Sequence, residues 1–416
     1  MKKNLVGDVS SSARVLPDLA GERLFIRKAD GAYVWDDQNR RYIDTALGFG
    51  AVLVGHSAPA VVAHATAALQ SGVAPSFAHV REHGAASALA SCTGDLTKVM
   101  FTNSGSEAVH LACRAARAFT GKPVIAKLAA GFDGWFDEVS LGNVTTREAQ
   151  FADGHRPGTD RTTLLRFNDL DDLERLFAER DDIAGVLYEP MLANAGCLMP
   201  APGYLQQLEE KARQHGALSI CDEVLMGFRL HCGLTSHLWG LQPDLATVGK
   251  AIGTGVPVAA VVGRPDVIAP FEDGRASRGG TYSGNPVACA ALTSTLDLLG
   301  VQDYDALVAR GDDLRRFIVS TFKACGIRLS TSGYGNVFSI WPSERPPATY
   351  DEAVAAANQE FSARLHLALR RQGLLAMPSA FGRLYLSFAH TEDVIAVMKR
   401  AFTAAAAQMA SEPVGR

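Results

Sequence analysis

The sequence predicts an α/β fold: a large domain built on a mostly parallel sheet, followed by a smaller α+β domain. Three observations carry the prediction. Between residues 98 and 250, short apolar runs alternate with helical stretches. The runs are apolar throughout, as in strands covered on both faces. Beyond about residue 291 long helical stretches take over, with strands gathered between them.

In chain order, Asp30–Asp37 reads as a β-hairpin, because Tyr33 and Trp35 alternate with smaller residues between Asp-Gly and Asp-Asp turns. Lys98–Thr102, Val124–Leu128, Ile183–Glu189, Leu218–Val224 and Leu245–Gly249 are the candidate strands of the large sheet. Ser106–Thr120 and Tyr204–His215 are helices between them, closed by Gly121 and Gly216. A long helix (Ala306–Ala324) follows, then strands near Arg328–Trp341, a helix (Tyr350–Gln372), a strand (Leu384–Phe388) and a last helix (Asp393–Met409). The expected division is an N-terminal segment (1–45) packing with the small domain, a large domain (46–290) and a small C-terminal domain (291–416). In a parallel sheet of this kind, chemistry gathers at the carboxyl ends of the strands.

Of the 416 residues, 47% are hydrophobic and 20% charged, and the net charge is -4, a globular balance. The chain shows no basic tract of the sort that binds nucleic acid. Apolar stretches all fall short of the roughly 18 residues a membrane span requires. Lys2-Lys3 is not followed by the apolar core of a signal peptide. Seven scattered cysteines with no CxxC pair imply thiols in a reducing compartment, the cytoplasm, rather than disulfides or zinc ligands.

Three short segments carry candidate chemistry. Asn103-Ser104-Gly105-Ser106-Glu107 stands between a strand and a helix, where free amides, hydroxyls and the helix dipole suit a phosphate; an ordinary N-cap is the plainer reading. Asp222 ends a buried strand, a costly place for an unpaired carboxylate. A protonated ring nitrogen would pair it; so would a structural partner. Lys250 follows an apolar strand and precedes a glycine-rich loop, where burial would lower its pKa and leave a nucleophilic amine; a surface lysine is the alternative. Walker and dinucleotide-binding patterns are missing: no Gly-Lys-Ser/Thr follows the serines, and Gly253-Thr-Gly255 lacks the third glycine. The order of phosphate cradle, strand-end Asp and strand-end Lys is the logic of a fold-type I pyridoxal-phosphate enzyme.

The motifs extend the match. Gly31-Ala-Tyr-Val-Trp-Asp, Tyr42-Ile-Asp44, Gly55-His56, Asn103-Ser-Gly-Ser-Glu-Ala, Glu189-Pro190 with Asn194 and Gly196, Asp222-Glu-Val-Leu-Met-Gly-Phe-Arg229, Gly249-Lys250, Gly280-Thr-Tyr-Ser-Gly-Asn-Pro286 and Ala389-His-Thr-Glu392 run along nearly the whole chain. In this order they resemble the class III aminotransferases, most of all the branch of glutamate semialdehyde aminomutase and the β-amino acid aminotransferases. The resemblance implies pyridoxal 5'-phosphate as cofactor, bound to Lys250 as a Schiff base, with Asp222 on the ring nitrogen. It implies phosphate contacts from Ser104, Gly105 and Ser106, ring contacts from Phe132 and Val224, and a polar contact from Asn194. Thr281 would reach the phosphate of the neighbouring subunit in a homodimer. The family usually has Tyr-His where this chain has Phe132-Asp133, so the hydroxyl is lost and the histidine's role falls into question.

Arg14 stands where the aminomutase branch has a carboxylate-binding arginine, and a guanidinium fork matches a carboxylate. The mutases' Phe-Glu-Ala-Gly-Phe segment is absent; Pro378-Ser-Ala-Phe381-Gly-Arg383-Leu-Tyr385 stands instead. Arg383 is therefore either a second carboxylate anchor or a surface residue. The resulting expectation is an aminotransferase passing an amino group from a carboxylate-bearing amine, such as a β-amino acid, to a 2-oxo acid. A mutase or racemase on the same scaffold is the alternative, and would need no acceptor.

Overall fold

The structure is a computed structural model and describes residues 4–14, 24–74, 76–151 and 154–412. Strands β1 (Ile26–Asp30), β2 (Tyr33–Asp36) and β3 (Arg41–Asp44) form an antiparallel meander. The first turn passes through Gly31 at φ 57°, a left-handed conformation that glycine enters without strain. Asp36 closes the second by accepting from the Arg40 amide at 2.7 Å and the Gln38 amide at 3.1 Å.

The large sheet has seven strands: β4 (Lys98–Thr102), β5 (Val124–Leu128), β6 (Thr162–Leu165), β7 (Ile183–Tyr188), β8 (Leu218–Asp222), β9 (Leu245–Val248) and β10 (Ala259–Gly263). Their order is β4-β10-β9-β8-β7-β5-β6. From β6 to β9 every pairing is parallel, and β10 runs antiparallel to both β9 and β4. The ends of β4, β5, β7, β8 and β9 therefore open on one edge. β6 and β10 were not expected: Thr162–Leu165 begins on two threonines just after the Pro157-Gly158 turn, and Ala259–Gly263 follows directly on the glycine-rich loop after Lys250.

The helix Gly105–Thr120 begins on a capping box. Ser104 Oγ accepts from the Glu107 amide at 3.3 Å, and Glu107 Oε2 accepts from the Ser104 amide at 3.1 Å. It ends at Gly121, φ 71°. Its inner face is Ala108, Val109, Ala112, Cys113, Ala115 and Ala116, small residues that let the helix lie close on the sheet.

In the C-terminal part, β11 (Ser330–Tyr334), β12 (Val337–Trp341) and β14 (Arg383–Tyr385) form a three-stranded sheet, while β13 (Leu374–Leu375) pairs in parallel with β3. The expected helix Tyr350–Gln372 is two helices, Tyr350–Ala356 and Gln359–Arg371. The break is at Asn358, whose extended backbone frees its side chain to cap the second helix through the Phe361 amide at 2.8 Å. Among the described residues, no helix is long and apolar enough to cross a membrane.

Candidate active site

A cavity of about 300 Å³ opens at the carboxyl edge of the large sheet. Asn103, Ser104, Gly105 and Ser106 after β4, Phe132, Asp133 and Gly134 after β5, Asp222 at the end of β8 and Val224 just past it, and Lys250 after β9 all line it. Segments far apart in sequence converge here because parallel strands deliver their ends to one edge.

At the β4 corner the capping box uses the Ser104 hydroxyl as an acceptor, and its O–H remains to donate. The amides of Gly105 and Ser106, first in their helix, have no carbonyl ahead of them and remain for an anion. Cap and cradle thus coexist. A methyl group on Gly105 would meet Val224 Cγ1 at 2.8 Å, so only glycine fits between the helix start and that wall.

Asp222 is buried, and its Oδ1 accepts from the Val224 amide at 2.9 Å and from Thr247 Oγ1 at 2.9 Å. The strand breaks after Asp222, two residues sooner than expected, because the Val224 amide turns back to that carboxylate. Thr247 is its register partner on β9. Burial, and then the charge of Asp133, push Asp222 up to about 7. Lys250 sits directly past β9 at φ 44°, an unusual backbone state for a side-chain-bearing residue and a form of strain that collects at functional sites. Burial lowers its amine to about 8, against the pull of Asp222 and Glu189. It is not a surface lysine.

Glu189, just past β7, fixes the Phe132 loop: its Oε1 accepts the Phe132 amide at 2.9 Å, while burial and the charges of Asp133 and Asp222 push its carboxyl up to about 8. Phe132 is half exposed over the cavity. Asp133 is buried and paired with Lys127, a lysine in the middle of β5, at 3.1 Å. Arg383 is buried rather than on the surface. Its Nε donates to Tyr385 Oη at 2.7 Å and its Nη1 to the Ala193 carbonyl at 3.3 Å.

Such a set has a defined chemistry: anion-binding amides, a buried carboxylate, and a lysine held partly neutral. The family comparison decides what it serves, for the class-III aminotransferase pattern matches residues 18–330. The chain belongs to the class-III aminotransferases. Glutamate-1-semialdehyde 2,1-aminomutase of Laribacter hongkongensis is 35% identical over 400 residues, covering 94% of this chain and 93% of the relative. A solved transaminase with PLP bound superposes at a TM-score of 0.87 with 27% identity, covering 98% of this chain and 96% of the other. The β-phenylalanine aminotransferase of Variovorax paradoxus superposes at 0.85 with 29% identity, covering 96% and 90%.

This class-III enzyme uses pyridoxal phosphate, and its residues fit that cofactor. The hydrogen bonds from the Val224 amide and Thr247 Oγ1 both fall on Asp222 Oδ1, so the buried carboxylate can still face a cationic ring nitrogen, and the free amides suit the phosphate. Four of the expected residues stand apart from the cavity walls, the buried Arg383 among them. Asn194 is half-buried in the turn after β7, Thr281 is exposed, and Arg14 is exposed at the end of the short turn Ser12–Arg14, followed by residues outside the described set. Sequence reasoning assigned no role to Thr247, Glu189 or Lys127. Only the alignment of Thr247 and Asp222 near the ends of neighbouring strands could have signalled the first.

Proposed function

We propose that this class-III aminotransferase takes the amino group of a carboxylate-bearing amine, a β-amino acid in the simplest case, and gives it to a 2-oxo acid. Arg383 carries the reading. Its guanidinium is buried, acts on the Lys250 amine through its charge, and hydrogen-bonds only neutral oxygens; among the described residues no carboxylate lies within ion-pair distance. A buried cation so placed is compensated when a substrate carboxylate arrives. Arg14 would hold a carboxylate at the other end of the site.

Bound pyridoxal phosphate supplies a carbonyl for the amine and a ring that accepts electrons as the substrate carbon loses its proton. Ser104, Gly105 and Ser106 would hold the phosphate, Phe132 and Val224 would bind the ring, and Asn194 would offer a polar contact. Asp222 would pair with the ring nitrogen and favour its protonated form. Lys250 would hold the cofactor through its amine, and that amine, once free, would take up the proton of the substrate carbon. The overall course is ping-pong. Thr281 reaches the phosphate of a second copy in a homodimer. Support for that comes from two segments joined by His79, whose Nε2 lies 2.7 Å from the Gly284 carbonyl: on them Tyr282, Phe77 and Val80 expose 64%, 85% and 88% of their surface, apolar area suited to a partner subunit. The seven free thiols suit the cytoplasm.

Mixing the enzyme with a β-amino acid in the absence of acceptor should convert the cofactor spectrum to that of its aminated form, and a 2-oxo acid should reverse it. Arg383→Met should raise KM for the carboxylate substrate with little effect on a neutral amine. No spectral exchange with any donor would sink the transaminase reading. The similarity to glutamate-1-semialdehyde 2,1-aminomutases supports a second reading, an intramolecular transfer, and turnover without acceptor would select it.

A further inference from the structure

Lys127 lies in the interior of β5 and is fully buried. Its ammonium has three N–H bonds and meets three acceptors: the Val139 carbonyl at 2.7 Å, Asn143 Oδ1 at 2.8 Å and Asp133 Oδ2 at 3.1 Å, the last an ion pair lying off the hydrogen-bond direction. Asn143 Nδ2 in turn donates to the Gly134 carbonyl at 3.1 Å. The segment Phe132–Gly134 is therefore held at three successive residues, by Glu189, by Lys127 and by Asn143.

The groups facing Asp133 come from every neighbouring element. Lys127 comes from β5. Glu189, past β7, is so near that a methyl group on Gly131 would lie 3.0 Å from Asp133 Oδ2 and 3.5 Å from Glu189 Oε1. Asp222 and Lys250 share the cavity wall with it. The helix Gly105–Thr120 presents Cys113, which burial pushes up to about 12 and so leaves neutral. Asp133 is thus a second carboxylate beside Asp222, and its pairing with Lys127 offsets part of its charge.

We propose that Lys127 and Asp133 are positioning residues: their buried ion pair clamps the loop that bears Phe132 and offsets part of the Asp133 charge that faces Asp222, leaving Asp222 able to pair with the cofactor ring. The proposal rests on the reading that Asp222 and Phe132 hold pyridoxal phosphate. Asp133→Asn removes a negative charge that faces Asp222 and leaves the Lys127 ammonium without its ion-pair partner. Lys127→Met leaves an uncompensated carboxylate that disfavours ionised Asp222. Removing both charges restores the balance.

The test is a cycle of Asp133→Asn, Lys127→Met and the double variant. It measures cofactor release into a trap and the pH at which the visible cofactor band changes. Contacting charges couple by factors of about 2 to 150, so each single variant should release the cofactor roughly tenfold faster, and the double variant more slowly than the product of the two. The band's pH midpoint should move in opposite directions in the two singles and return in the double. Where Lys127→Met is insoluble, Asp133→Asn against Asp133→Glu decides, since Glu keeps the charge and should recover most of the retention. Wild-type release and wild-type band pH in Asp133→Asn, or strictly multiplicative effects, would overturn the proposal. A wild-type protein that never develops a visible band with pyridoxal phosphate overturns the cofactor assignment itself.

Discussion

Replacing Thr247 with valine deletes one hydroxyl and keeps the shape of the side chain. That hydroxyl gives Asp222 Oδ1 one of its two hydrogen bonds, in a buried site. A hydrogen bond to a charged group contributes about 1.5–3 kcal/mol. At 1.36 kcal/mol per unit, its loss raises the Asp222 pKa by about one to two units. Because Asp222 already stands at about 7, the variant at pH 7.5 holds it mostly protonated. Only the ionised form pairs with a protonated ring nitrogen, so apo-protein affinity for pyridoxal phosphate should fall roughly three- to twenty-five-fold at that pH. Above about pH 9.5 the deficit should close, since both proteins are then ionised. Titration of apo-protein with cofactor from pH 6.5 to 9.5, followed by fluorescence quenching, reads both effects. An equal deficit at every pH, or none at pH 7.5, would refute the reasoning.

Lys250→Ala should abolish the visible band formed with pyridoxal phosphate while leaving the far-ultraviolet circular dichroism unchanged. In the wild type, attachment of the cofactor needs the neutral amine, so its rate should climb as pH rises through about 8 and then level off, seen by stopped-flow absorbance. Asp222→Asn should melt higher than wild-type apo-protein at pH 8: folding raises the Asp222 pKa from 3.8 to about 7, so its ionisation costs stability progressively as pH rises between those values. The gap should narrow toward pH 5, and a constant gap would exclude the carboxylate as its cause. Gly196→Ala should lower stability by about 1–3 kcal/mol in urea unfolding, because overpacking a core forces its neighbours aside. The new methyl group would lie 2.2 Å from Trp341 Cζ2, on a backbone with φ 86°.

The legibility of the fold varied with length and pattern. The strands ending at Thr102, Leu128 and Tyr188 stood out as apolar runs, and the helix from Gly105 announced itself through Ser104 and Glu107. β10 did not, since Ala259–Gly263 is a stretch of small and branched residues whose pairing partners lie on either side of it in space rather than in sequence. The single helix expected over Tyr350–Gln372 failed at Asn358, where a local capping bond outcompeted a continuous helical pattern.

Lys250 and Asp222 were visible in the sequence because an ionisable group at the end of an apolar strand conflicts with its surroundings, and that conflict is local. The serine-glycine turn and the family motifs are local as well, and they were enough to name the cofactor. Whether Arg383 was buried, which threonine supports Asp222, and that Lys127 answers Asp133 were decided only by tertiary structure. Those facts depend on strand register and on the convergence of β5, β7, β8 and β9 at one edge, where Coulomb and hydrogen-bond partners are chosen by distance through space.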